Sequence, residues 1–201
     1  MPKVYAIDGV VPVVDPSAFV HPRAVLIGDV IVGPRCYVGP GASLRGDFSQ
    51  IVVGAGSSIQ DNVVVHSFAN VTVRVGENCG IGHGAVLHGC TLGRAVLVGM
   101  NAVVMDGVEI GDESIVSALA FVRAGFKAAP RSLLAGLPAK LIREIDQATV
   151  DWKAQGTGDY HRLTERSLAT MEEVEALAAT DATGPRLVIQ GVSPLFVQRG
   201  G

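Results

Sequence analysis

Residues 92–122 read LGRAVLVGMNAVVMDGVEIGDESIVSALAFV. An aliphatic side chain returns every six positions, at Leu92, Val98, Val104, Ile110, Val116 and Val122. The same step runs upstream through Val20, Leu26, Val32, Val38 and Leu44, then Val53, Ile59 and Val65, then Val75, Ile81 and Leu87. Glycine often follows the aliphatic, as at Gly33, Gly54, Gly76, Gly99 and Gly111. The fourth position on is small, as at Ala24, Cys36, Ala42, Ser57, Cys79 and Ala102. A helix repeats at 3.6 residues and a strand at 2. A sustained six-step is therefore the period of a repeat unit, and it decides the fold before single elements are assigned.

This pattern resembles the hexapeptide-repeat family. The resemblance implies an all-β core, a single-stranded left-handed parallel β-helix with three hexapeptides in each triangular coil. The chemistry agrees: one aliphatic per face points inward and stacks on its copies, and small residues share the tight interior near the corners. The expected organisation is a β-helix over residues 1–125, a C-terminal segment of α-helices over 126–178 packing on it, and a tail over 179–201. Cys36 and Cys79 fall at small core positions of the repeat.

Composition narrows the class. The 201-residue chain is 48% hydrophobic and 17% charged, with 25 glycines, a mix suited to tightly turning β structure. Net charge is −3, and no basic, aromatic-interleaved stretch speaks for nucleic acid. No run of 18 apolar residues suggests a membrane span, and MPKVYAIDGV lacks the parts of a signal peptide. Three cysteines, an odd count, give no disulfide framework. A soluble cytoplasmic protein is expected.

Register then places the polar residues. Every third aliphatic shares a face, so Leu26, Leu44, Val65, Leu87, Val104 and Val122 form one column. The residues just after them include Arg45, His66 and His88. Coils stack at roughly 4.8 Å, which makes His66 and His88 neighbours able to share a metal ion. A second column, Val20, Val38, Ile59, Ile81, Val98 and Val116, carries Asp61 and His83 two positions after an aliphatic. His83 therefore lies on another face, and a threefold assembly would bring it to a neighbour's pair. The six-step breaks at 44→53, 65→75 and 87→92, all beside the Arg45, His66, His88 column, which marks that edge as functional.

The stretches LRGD (44–47), IQDNVVVH (59–66) and GHGAVLHG (82–89) resemble the γ-class carbonic anhydrase signature. That resemblance implies a homotrimer with His66, His83 and His88 as ligands to Zn²⁺, with Fe²⁺ or Co²⁺ as alternatives. It implies Gln60 as a catalytic residue orienting a metal-activated water. Arg45, Asp47 and Asp61 would form an ion-pair network at the subunit boundary. The loop after His66, SFANVTVR, holds no acidic residue for proton export, so rapid CO₂ hydration is not implied. The stretches AVLIGDVIVG, VGMNAVVMDGVEIG, GLPAKLIREI and WKAQGTGDYHRLTER are similar to the branch that holds PaaY, with CaiE as its relative. The PaaY branch implies a metal-dependent thioesterase acting on acyl-CoA thioesters in phenylacetate catabolism. A CoA-dependent acyltransferase, a carbonic anhydrase and a CaiE-like accessory protein stand as alternatives.

After AAPRSLLAGLPAK the pattern becomes helical, with Leu141, Ile145, Ala148 and Trp152 on one face. Gly156 is expected to break that helix, and Tyr160, Leu163, Ser167, Met171 and Val174 to begin another. Tyr160 is a candidate to reach the metal pocket. His161 is expected to face solvent.

Overall fold

In the computed structural model the chain is described over residues 2–179 and 183–187. Short parallel strands stack in register into a left-handed solenoid of about 7 turns, with one helix after it. Each column foreseen from the six-step is a ladder of paired strands. Leu26, Leu44, Val65, Leu87, Val104 and Val122 stack on one face. Val20, Val38, Ile59, Ile81, Val98 and Val116 stack on another. Val14, Val32, Val53, Val75, Leu92, Ile110 and Ala128 make the third. Most of these side chains are completely buried and form one continuous core with Cys36, Cys79, Cys90 and the small corner residues. The long strands Val25–Val32 and Ser43–Val53 pass round a corner without stopping and so join two faces into one sheet.

The solenoid is longer than the expected 1–125. Lys127–Ala128 pairs with Glu109–Ile110, and Leu133–Leu134 pairs with Ile115–Val116. The six-step in fact continues through Ala128 and Leu134, but a methyl group at 128 hides it from a search for large aliphatics. Strand Ala139–Glu144 then folds back antiparallel on Ser132–Gly136 and covers the last edge.

The C-terminal helices are one helix, α1 (Gln147–Thr170). Leu141 lies on the returning strand, not on a helical face. The helix starts where Asp146 caps it, its carboxylate accepting from the Thr149 N–H. It runs through Gly156 unbroken: docking on the solenoid outweighs the roughly 1 kcal/mol that a helical glycine costs. It ends before Met171 and Val174. The Lys153 ammonium is buried and donates to the Ala95 carbonyl, which pins the helix to a coil corner. His161 is not solvent-facing; its ring Nε2 sits 2.9 Å from the Gly56 carbonyl. Most of the expected tail, 179–201, lies outside the described residues.

Candidate active site at the histidine corner

His66 and His88 end the short strands Val64–His66 and Val86–His88, which pair residue for residue, His88 opposite His66. The rings are tilted at 59° to each other with centroids 5.3 Å apart, and His66 Nδ1 faces His88 Nε2 at 3.3 Å. Each outer nitrogen meets a carboxylate. His66 Nε2 lies 3.0 Å from Asp47 Oδ1, and His88 Nδ1 lies 2.7 Å from Asp106 Oδ1. Burial pushes the Asp47 carboxyl up, but the Arg45 guanidinium, 2.6 Å from it, outweighs this and holds the group below its usual range. A carboxylate only accepts, so the outer nitrogens donate and the two inner nitrogens are left to share whatever lies between them.

Two ring nitrogens at that distance can share one proton in an N–H···N bond or hold a metal ion between them. Two nitrogens about 2.0–2.1 Å from one tetrahedral Zn²⁺ stand about 3.3–3.4 Å apart. The pair therefore fits the metal that the sequence implied. Carboxylates on the outer nitrogens fix ring orientation as metal-bound histidines require. Among the described residues, however, no group of three or more His, Cys, Asp or Glu side chains gathers as a cage within one chain.

His83 does not join the pair. It follows strand Gly80–Ile81 on another face, and its Nδ1 lies 3.0 Å from Asp61. Both residues stand just before a corner at positive φ, Asn62 and Gly84, which turns them outward. Within one chain Asp61 pairs with His83, and Arg45 pairs with Asp47. Gln60 and Tyr160 also lie away from the pair, on the Ile59 and Ile81 side under α1, where both line a cleft. Burial pushes the Tyr160 hydroxyl up to about 12, so it stays protonated and can donate.

Asp106 escaped the sequence reading. Its signal was the column itself, one place beyond Met105, the coil equivalent of His88. Gly89 makes the arrangement feasible: it holds φ +56, and a Cβ there would collide with the Asp106 carboxylate. Phe48 and Phe68, from the two insertions beside the column, cover the rings at 5.3 Å from His66 and 5.0 Å from His88.

The model for bacterial transferase hexapeptide (six repeats) matches residues 89–124. The carnitine operon protein CaiE of Escherichia coli strain K12 is 49% identical over 195 residues, covering 97% of this chain and 98% of that protein. The CaiE protein of Proteus sp. (strain LE138) is 50% identical over 185 residues, 92% of this chain and 94% of that one. The chain belongs to the CaiE family. Among solved structures, a hexapeptide transferase family protein from Anaplasma phagocytophilum superposes with a TM-score of 0.78 at 35% identity, over 81% of this chain and 96% of that one. A candidate acetyltransferase from Bacillus cereus gives 0.82 at 27% identity, over 84% and 98%. CaiE-family membership and these neighbours carry the hexapeptide fold. Among the described residues no helix is long and apolar enough to cross a membrane.

Proposed function

We propose that this CaiE-family chain acts on acyl-CoA thioesters at the His66–His88 corner, in a homotrimer whose site a neighbouring copy's His83 completes. One observation carries the reading: the facing nitrogens at 3.3 Å, with a carboxylate behind each ring. Asp47 and Asp106 hold the rings so that both inner nitrogens point to one place. Phe48 and Phe68 set exposed apolar rings beside that place. Zn²⁺ held there would polarise a thioester carbonyl and bring the pKa of an attacking water near about 7. The pair's geometry thus favours hydrolysis, the PaaY-type activity that the sequence resembles. The trimer is supported by the outward strip Val64, Val86, Val103 and Phe121 beside the pair, where Val64 is 41% and Phe121 36% exposed.

The relatives favour a second reading, transfer of the acyl group from CoA to an organic acceptor. There His88, with Nδ1 held by Asp106, would take the acceptor's proton at Nε2 as general base. Metal analysis of the purified protein, with CoA release from a panel of thioesters measured with and without added amine and alcohol acceptors, tests both. Bound stoichiometric metal and CoA release without acceptor support hydrolysis. Metal-free protein that needs an acceptor supports transfer. CoA release from no thioester, with CO₂ hydration found in the same preparations, removes both.

A further inference from the structure

The strands beneath α1 present an outward ladder, Phe19, Tyr37, Ser58, Gly80, Leu97 and Ile115, one residue per coil. Its members are large except at two successive rungs, Ser58 and Gly80. The helix answers with Trp152, Gly156 and Tyr160, spaced four apart and so on one face. The small member is again the middle one. A Cβ on Gly156 would meet no atom within 4 Å. Gaps in both surfaces coincide and leave a cleft of about 270 Å³. Nothing in the packing of α1 demands glycine there, since glycine is a poor helix former. Among the described residues the buried Trp152 Nε1–H has no hydrogen-bond partner, and a buried donor left unpaired is unfavourable. Gln60 also lines the cleft, and the next residue, Asp61, pairs with His83. The Gln60 edge of the cleft thus lies one residue from the Asp61–His83 pair, the side that a neighbour's His66 and His88 would approach.

We propose that this cleft binds the acyl group of the substrate, selecting one of about a single ring's bulk or a short chain, with the Trp152 N–H donating to an oxygen of the ligand. An apolar cavity of about 150 Å³ takes one benzene, so the space here holds a ring with a short arm and excludes a long fatty chain. Tyr160 and Gln60 offer further polar groups at its edge. They act as substrate-positioning residues. The proposal rests on the reading that acyl thioesters are the substrates.

The chain has a single tryptophan, so its emission reports this cleft in the full-length protein. N-acetylcysteamine thioesters of benzoate and hexanoate should change that emission saturably, and the dodecanoate thioester should bind no better than the acetate one. Gly156→Leu fills the gap with a better helix former. Helix content by circular dichroism should persist while affinity for the benzoyl and hexanoyl probes falls at least about tenfold, as expected when several methylenes lose their burial. Trp152→Phe, followed by calorimetry, should weaken binding by roughly fivefold through the lost donor alone. Equal probe affinity in the parent and Gly156→Leu, or no saturable change with any probe, overturns the proposal. His88→Ala separates it from the proposed reaction: the variant should keep the emission titration and lose turnover. Probe binding without turnover of any CoA thioester by the parent would sink the reaction and leave the cleft standing. Turnover with the same benzoyl-to-acetyl rate ratio in the parent and Gly156→Leu would sink the cleft and leave the reaction.

Discussion

Asp106 reaches His88 because Gly89 has no side chain in its way, and this one hydrogen bond sets which His88 nitrogen faces His66. Asp106→Asn replaces an obligate acceptor by an amide that can also donate. Metal affinity should fall by about 10–100-fold, while the circular dichroism spectrum stays that of the parent. Unchanged metal affinity would mean that Asp106 does not orient the ring. The histidine pair was legible from register, since residues 22 apart stack when coils repeat. Asp106 was not, because its carboxylate reaches back from the next coil to His88, and column arithmetic places backbones and leaves side-chain reach open. The cysteines make a second test at this scale. Burial pushes the thiols of Cys36 and Cys79 up to about 11 and that of Cys90 up to about 12, and all three are free and buried. At pH 8 the native protein should be inert to an aromatic disulfide reagent and should titrate three thiols only in denaturant. Prompt reaction of any one in the native state would contradict its core position.

At the scale of elements, the hexads were readable because each carries its own inward aliphatic and corner residue. The closing hairpin and α1 were harder, since their form depends on what they dock against. Leu141 and Ile145 fall four apart by chance, and the strand that pairs with Ser132–Gly136 claims the first of them. Gly156 reads as a breaker in isolation and is a tolerated helical residue beside the cleft. The start of α1 rests on Asp146, whose side chain accepts from the Thr149 N–H. Asp146→Ala should lower stability by about 1 kcal/mol, seen as a lower midpoint in urea with an unchanged slope. The emission of Trp152, in the second turn of the helix, should follow the same transition. A loss of helix signal well before the solenoid unfolds would instead show that the helix docks as a separate unit.

The whole molecule couples these parts through protonation and assembly. Buried Cys36, Cys79, Cys90 and Tyr160 all hold their protons to higher pH in the fold than in the open chain. Their contribution is fully present below about pH 9 and is lost as pH rises through 11 and 12, because the unfolded chain then binds fewer protons than the native one. Lys153 works the other way: burial lowers its pKa below 10.5, so its unfavourable charge is shed as pH rises toward that value. With Tyr37, which burial raises likewise, five groups stand against one and predict a melting temperature that falls from pH 9 to pH 11. A rise would show that Lys153 dominates. Assembly is the remaining test. His83 stands on a different face from His66 and His88, so one chain offers the pair and not the third ligand. Val64, on the outward strip beside the pair, should be covered in a trimer. Val64→Asp should therefore give monomers in sedimentation velocity and, in the same preparation, a loss of metal. His83→Ala should lose metal and remain trimeric. If Val64→Asp were monomeric with its full metal content, the pair alone would suffice, and the division of ligands between faces would have no part in building the site.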